Sequence, residues 1–400
     1  MLALRLVVLA LGVALGVFYP FIPVILAARG FSPAEIGLVA SIGAVGFTIA
    51  VPAWGHIADV NLGRARTLQV CAVGGAAAVG ALFGSWPPIV IAALLMAYWV
   101  FESSWQPLAD ALTVNLVDRR RYARTRLLTS LSFAISSIAA GFLYDSAGFQ
   151  AAYVLAVVAA IAMAVAAGGV PDIGRARLDQ PPQDPSRTSR PRASLGSAGV
   201  ALRVAPRLGL VLLAVMLINI TIISGFTYLP LRLGDLGSPP SDVALSAGIS
   251  AIAEIPAMLV AARVAQVIGL RGMFVGSALI YGAATSSWIV LESAQVIIAT
   301  RLITGVAFAW VLVCVVLTIA LLLPSELQAT GQSLYQTFGF GFGAIIANIV
   351  GGQLYEAIGH GAVFGLGTVL AVIAAAMGWI VFPRDARTRI ASSPPPTAPA

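Results

Sequence analysis

The 400-residue sequence predicts an all-α membrane protein with twelve transmembrane helices, and three observations carry this. Hydrophobic residues make up 59% of the chain and charged residues 10%, against roughly 25% charged in soluble domains. Mean hydropathy is +0.96. Twelve apolar stretches each approach or exceed the about 20 residues needed to cross a hydrocarbon core of roughly 30 Å. The composition therefore excludes the two or three soluble domains that length alone would allow.

In order, the spans cover residues 4–28, 34–58, 66–84, 88–114, 124–144, 150–170, 208–231, 242–266, 272–291, 295–323, 330–354 and 361–382. The first follows Arg5 as a signal peptide would. Its apolar run is too long for one, lacks a small-x-small cleavage site and leads into eleven more, so a retained helix is expected. Between the sixth and seventh spans, Pro181, Pro182, Pro185 and Pro191 fall among Ser, Asp, Gln and Arg, a stretch too polar to pack. The expected organisation is a six-helix bundle over 1–171, a cytoplasmic linker over 172–206, a second bundle over 207–383 and a disordered cytoplasmic tail over 384–400.

All 23 basic residues are arginine. Assigning loops alternately puts 20 of them on one face of the membrane, Arg29 and Arg232 on the other, and Arg301 inside a span. This asymmetry predicts that both termini are cytoplasmic in a cell-membrane protein, with some attraction to anionic lipid heads. The net charge of +7 is thereby a topology signal, and no nucleic-acid partner is expected. Cys71 and Cys314 lie inside apolar runs, so neither a disulfide framework nor a metal site is predicted.

The halves carry an internal repeat. Gly141, Leu143, Tyr144, Asp145, Gly148, Ala151 and Tyr153 match Gly352, Leu354, Tyr355, Glu356, Gly359, Ala362 and Phe364 at an offset of 211. Pro23, Pro33, Glu35 and Ile36 match Pro230, Pro240, Asp242 and Val243 at an offset of 207. Two regions agreeing at nearly one offset indicate parallel six-helix repeats.

Between the second and third spans, Gly55, Asp59, Gly63 and Arg64 lie in a run similar to the cytoplasmic loop motif G-x-x-x-D-[RK]-x-G-[RK]-[RK] of the major facilitator superfamily. Val60 stands where a basic residue is usual, and one extra residue separates Asp59 from Gly63. Gly55 is expected to permit close helix approach, Gly63 to make a tight turn, and Asp59 with Arg64 to latch one conformation. Pro107 to Thr113 followed by Tyr122 to Leu127, Glu254-Ile255-Pro256, and Ala329 to Tyr335 resemble segments of the branch containing phenylpropionate permease, nucleoside symporters and lactose permease. The fifth span lacks the Gly-Pro motif usual in proton-antiport drug exporters. The resemblance covers the whole chain and implies a secondary transporter whose halves rock about a midplane site.

Intramembrane charges point to the chemistry, because an ionisable group at the bilayer centre costs several kcal/mol. At about 1.5 Å per residue, Glu102 and Glu254 lie roughly 21 and 18 Å into their spans, too deep to snorkel. Both are proton-coupling candidates, set against a role as protonated packing residues. Glu102, Gln106, Asp110 and Thr113 recur at helical spacing as a polar stripe. Arg126, Ser130, Phe133 and Ser137 form a second, and Ser246, Ser250 and Glu254 a third. Faces that lipid would not tolerate are expected to share an aqueous cavity. Asp110 and Arg126 are placed to meet as a scaffold or a gate. Arg301 has three readings: it attracts an anionic solute, pairs with an acid, or snorkels outward. Tyr19, Trp105, Trp310 and Tyr335 either stack on a ring-bearing solute or pack.

With two histidines, neither placed for HExxH or Ser/His/Asp chemistry, and with no P-loop, an enzyme is not expected and no cofactor is implied. The sequence predicts a monomeric carrier moving a small organic solute with H+ as coupling ion. The alternatives are a proton-antiport exporter of drugs or metabolites, and a transport-inactive sensor or scaffold on the same fold.

Overall fold

The computed structural model describes residues 1–116, 119–171 and 195–383. Residues 172–194 of the expected 172–206 linker, the tail over 384–400 and the side chain of Arg126 lie outside the described residues. Fifteen α-helices occur among the described residues: α1 (Leu2–Gly16), α2 (Ile22–Ala28), α3 (Pro33–Ile57), α4 (Arg64–Ala81), α5 (Pro88–Glu102), α6 (Trp105–Leu116), α7 (Arg119–Ala147), α8 (Gln150–Gly168), α9 (Leu195–Val204), α10 (Arg207–Asp235), α11 (Pro240–Val290), α12 (Ala294–Leu322), α13 (Ser325–Tyr335), α14 (Gly343–Ala357) and α15 (His360–Val381).

Ten continuous helical segments among the described residues are long and apolar enough to cross a membrane. One of them, the 51-residue α11, is two crossings, because Gly269 breaks it with φ 72° and ψ 166°. The helix α4, with Arg64 and Arg66 in its first turn, is the remaining crossing and packs along α8. The twelve-span architecture follows. One boundary differs from expectation: α9 occupies the end of the stretch read as linker. Ala201 is fully buried there, and the helix packs on α13 and α10. Its run Leu195–Val204 carries only one charge and is apolar enough to dock.

Three spans are discontinuous, each for a local reason. The first bends through a 3-10 turn at Tyr19–Phe21, which contains Pro20 and is followed closely by Pro23. The fourth breaks between α5 and α6. Pro107 has no N–H to give the carbonyl of Ser103, while Ser103 and Ser104 turn their hydroxyls back onto Val100 and Phe101 carbonyls at 2.8 and 3.0 Å. The stripe expected to run unbroken from Glu102 to Thr113 is therefore interrupted: Glu102 ends α5, and Gln106, Asp110 and Thr113 lie on α6. The eleventh span widens into a π-helical segment at Gln336–Phe342, joining α13 to α14.

Among the described residues, six glycines with positive φ fall into three pairs across the repeat: Gly30 with Gly237, Gly63 with Gly269, and Gly148 with Gly359. The middle pair shares one conformation, φ 81° and ψ 163° at Gly63 against φ 72° and ψ 166° at Gly269. Only glycine occupies that region without strain. Gly269→Ala should therefore destabilise the protein by about 1–3 kcal/mol, measured by thermal unfolding in detergent; an unchanged melting curve would contradict the turn's role.

The two arginines on the arginine-poor face have matching structural duties. Arg29 donates to the carbonyls of Leu82 and Gly84 just past α4. Arg232 donates to the carbonyl of Leu291 at the end of α11. Each guanidinium caps the C-terminus of its own half's third crossing, where unpaired carbonyls and the helix dipole favour a cation.

Candidate functional site

Each half contributes one carboxyl-centred cluster. In the first half, Glu102 is 9% exposed at the end of α5, and its charge acts on both Tyr98, one turn earlier, and Tyr19 in the broken first span. Tyr98 is buried without a protein partner for its hydroxyl among the described residues. Phe18 and Trp105 hold its ring edge-on at 5.2 and 5.9 Å. Tyr19 is 50% exposed although it lies in mid-span. The helical break at Tyr19–Phe21 thus presents a phenol in the neighbourhood of the carboxyl.

In the second half, Glu254 is half-buried on α11, and electrostatic coupling links it to Arg301 and Tyr281. Arg301 is 3% exposed, so it does not snorkel. Its Nε donates to the Ser246 carbonyl at 3.4 Å and its Nη1 to Thr304 Oγ1 at 3.1 Å. Its guanidinium sits 5.5 Å from the centroid of the Phe226 ring, a cation–π contact worth more when desolvated. No carboxylate lies within 4.0 Å of Arg301 among the described residues. Glu254 and Arg301 are thus neighbours without a direct ion pair, and the Ser250 and Tyr281 hydroxyls have no described protein partner. Such groups need water or a ligand to satisfy them.

A third polar cluster surrounds the π-helical segment. Asn219 of α10 is fully buried, and its amide faces Tyr335. A Cβ at Gly339 would sit 2.5 Å from the Asn219 amide nitrogen, so the glycine admits Asn219 to the wide turn. Tyr335 also stacks edge-on to Phe340 at 5.7 Å. Trp310 is half-buried with an unpartnered indole N–H.

The remaining predicted residues divide. Trp105 is 2% exposed and packs on Gly75 and Tyr98, which makes it a wall of the first-half cluster rather than an open stacking platform. Gln106 and Asp110 are half-buried on α6. Arg64 meets Asp59 at 3.4 Å. The extra residue between Asp59 and Gly63 is taken up by a π-helical turn at Ala58–Leu62, the geometry that accommodates a one-residue insertion. Gly63 makes the expected turn. Gly55 corrects the expectation: a Cβ there would meet nothing within 4 Å, so it does not mark a close helix approach in this conformation.

Sequence reading missed Tyr98, Asn219, Phe226 and Tyr281. A buried amide inside the apolar run of α10 is a signal of its own, and Tyr98 precedes Glu102 by one helical turn. Phe226 and Tyr281 reach the cluster only through packing between spans.

A family model described as "MFS_1 like family" matches residues 2–366. The chain is 27% identical over 379 residues to the maltose permease of Geobacillus stearothermophilus, covering 90% of each. It is 22% identical over 358 residues to the uncharacterized transporter YwbF of Bacillus subtilis strain 168, covering 85% of this chain and 83% of the other. In fold it is similar to the crystal structure of the nucleoside transporter NupG, with a TM-score of 0.78 at 14% identity over 95% of this chain and 97% of that one. A bacterial homolog of the human lysosomal transporter Spinster, solved in an inward-facing and unoccupied conformation, matches with a TM-score of 0.63 at 15% identity and 95% coverage of both chains.

Proposed function

Because the chain belongs to the MFS_1 like family, and so is a multi-pass membrane transporter, we propose that it imports a small hydroxyl-bearing solute of the glycoside or nucleoside kind by proton-coupled alternating access. The observation that carries this is one carboxyl within the membrane in each half, buried Glu102 beside Tyr98 and Tyr19 and half-buried Glu254 beside Tyr281, with unpartnered polar atoms next to each. A carboxyl in that setting binds and releases a proton, and the orphaned donors and acceptors suit a neutral polyhydroxylated ligand. Similarity to a maltose permease and to a nucleoside transporter supports the solute class.

The two halves meet over the arginine-poor ends of their helices. One buried apolar core joins the first half to Tyr228, Trp288 and Phe364. The second core, from Ala201 to Phe382, is built from α9 and the second half alone. With the arginine-rich face read as cytoplasmic, this supports a carrier closed to the outside.

The test is uptake by reconstituted proteoliposomes across a panel of glycosides and nucleosides, with and without an inwardly directed proton gradient. Accumulation of at least one solute, accompanied by proton entry, is expected. A panel in which no solute moves and no pH change follows its addition would overturn the reading.

A further inference from the structure

The repeated run Gly-x-Leu-Tyr-[Asp/Glu] ends the fifth and eleventh spans as Gly141 to Asp145 and Gly352 to Glu356. Its two copies do the same thing in opposite directions. Asp145 Oδ1 of the first half accepts the backbone N–H of Ser241, at the start of α11 in the second half, at 2.9 Å. Glu356 Oε2 of the second half accepts the N–H of Ala34, at the start of α3 in the first half, at 3.0 Å. Each carboxylate therefore caps the N-terminus of the other half's second crossing, where free N–H groups and the dipole favour a negative charge.

The rest of the motif makes this reach possible. A Cβ at Gly141 would lie 2.9 Å from Ser241 Cα and 2.3 Å from Ala244 Cβ, and one at Gly352 would lie 2.7 Å from the Pro33 carbonyl oxygen and 3.0 Å from Ala34 Cα. Only glycine lets the opposing helix starts come so close. The tyrosine ties the motif to its own half: Tyr144 donates to the Val17 carbonyl at 2.7 Å, and Tyr355 donates to Asp235 Oδ2. Held from behind and bonded in front, each carboxylate bridges the seam between halves. The bridges differ in one respect. The start of α3 has its own capping box from Ser32 and Glu35, whereas α11 has no side-chain cap from its own residues, so Asp145 is the more heavily used.

We propose that Asp145 and Glu356 are gate residues: a pseudo-symmetric pair of latches that holds the arginine-poor end closed and must break, together, each time the carrier opens there. The proposal rests on the alternating-access reading, but its test requires no transported solute. Ser41 of α3 is 3% exposed and donates across the seam to the Ile345 carbonyl at 3.3 Å. A Ser41→Cys reporter is added to the otherwise native protein, and its alkylation by a water-soluble maleimide is followed in detergent by peptide mass spectrometry.

Removing a hydrogen bond to a charged group shifts an equilibrium roughly tenfold or more. Asp145→Ala and Glu356→Ala should each speed labelling of the reporter by roughly that factor, Asp145→Ala more, and the double variant by their product. Asp145→Asn and Glu356→Gln, which keep shape and an acceptor but drop the charge, should give a smaller rise of the same sign and decide the matter if the alanine variants do not fold. Labelling of the reporter unchanged in both double variants would overturn the proposal. So would an equal rise at native Cys71, fully buried within the first half, because that marks unfolding rather than opening of the seam.

Discussion

In Glu254→Gln, accumulation driven by a proton gradient should collapse to equilibration while exchange of labelled for unlabelled solute persists. One proton carried per solute lets a pH difference of about two units sustain a roughly hundredfold concentration ratio, since each unit corresponds to about 1.4 kcal/mol. A glutamine has the shape of the protonated acid but cannot release the proton. The loaded carrier still reorients, and it loses the link between proton release and the return step. The ratio inside to outside should therefore fall from about one hundred to about one. Arg301 sharpens the expectation, because the guanidinium that acts electrostatically on Glu254 is buried and fixed by Ser246 and Thr304, and it distinguishes the ionised carboxylate from the neutral amide. Glu102→Gln is the parallel measurement in the first half. Undiminished accumulation in both variants would remove proton coupling from the mechanism.

The second large effect should come from a residue with no polar atom in its side chain. Gly305 lies one turn beyond Arg301 on α12, and Ser250 lies one turn before Glu254 on α11. A Cβ at Gly305 would stand 2.4 Å from the Ser250 carbonyl oxygen and 3.0 Å from its Cα. Those are backbone atoms, which cannot swing aside as a side chain does, so Gly305→Ala must push the eighth and tenth spans apart. Overpacking of this kind costs about 1–3 kcal/mol, and close approach through small residues is a main source of helix association within lipid. The same displacement draws Arg301 away from Ser246 and Glu254. Gly305→Ala should lower both thermal stability in detergent and solute affinity, whereas Gly276→Ala, where a Cβ meets nothing within 4 Å, should leave both intact or raise stability slightly. Equal behaviour of the two variants would show that the close contact does not hold the site together.

Much of this architecture can be read without coordinates because lipid imposes a simple rule: long apolar runs cross, and arginines gather on one side. Glu102, Glu254 and Arg301 stand out for the same reason, since their cost in hydrocarbon demands an explanation. The details that decide what those residues do depend on neighbours far away in sequence. Nothing near Arg301 says whether it snorkels or stays; the ring of Phe226 and the carbonyl of Ser246, from two other spans, keep it inside. Likewise the repeat containing Asp145 and Glu356 is plain as a pattern of letters, yet which backbone each carboxylate holds is a property of the closed seam. The break at Ser103 is signalled in the sequence by Pro107, four residues on.

The paired turn glycines carry a consequence for how the two halves diverged. From Gly30 to Gly63 is 33 residues and from Gly237 to Gly269 is 32, and each interval holds one membrane crossing with a latch-bearing helix start at its near end. What the halves share is thus a length more than a set of side chains: a ruler, equal to within one residue, between the place where one half is gripped by the other and the place where its chain turns back. The one residue by which the first interval exceeds the second is absorbed in the π-helical turn at Ala58–Leu62; a residue inserted into α3 without such a turn would rotate everything beyond it by about 100°. It would set the gripped end and the turning end out of phase while leaving composition and hydropathy almost unchanged.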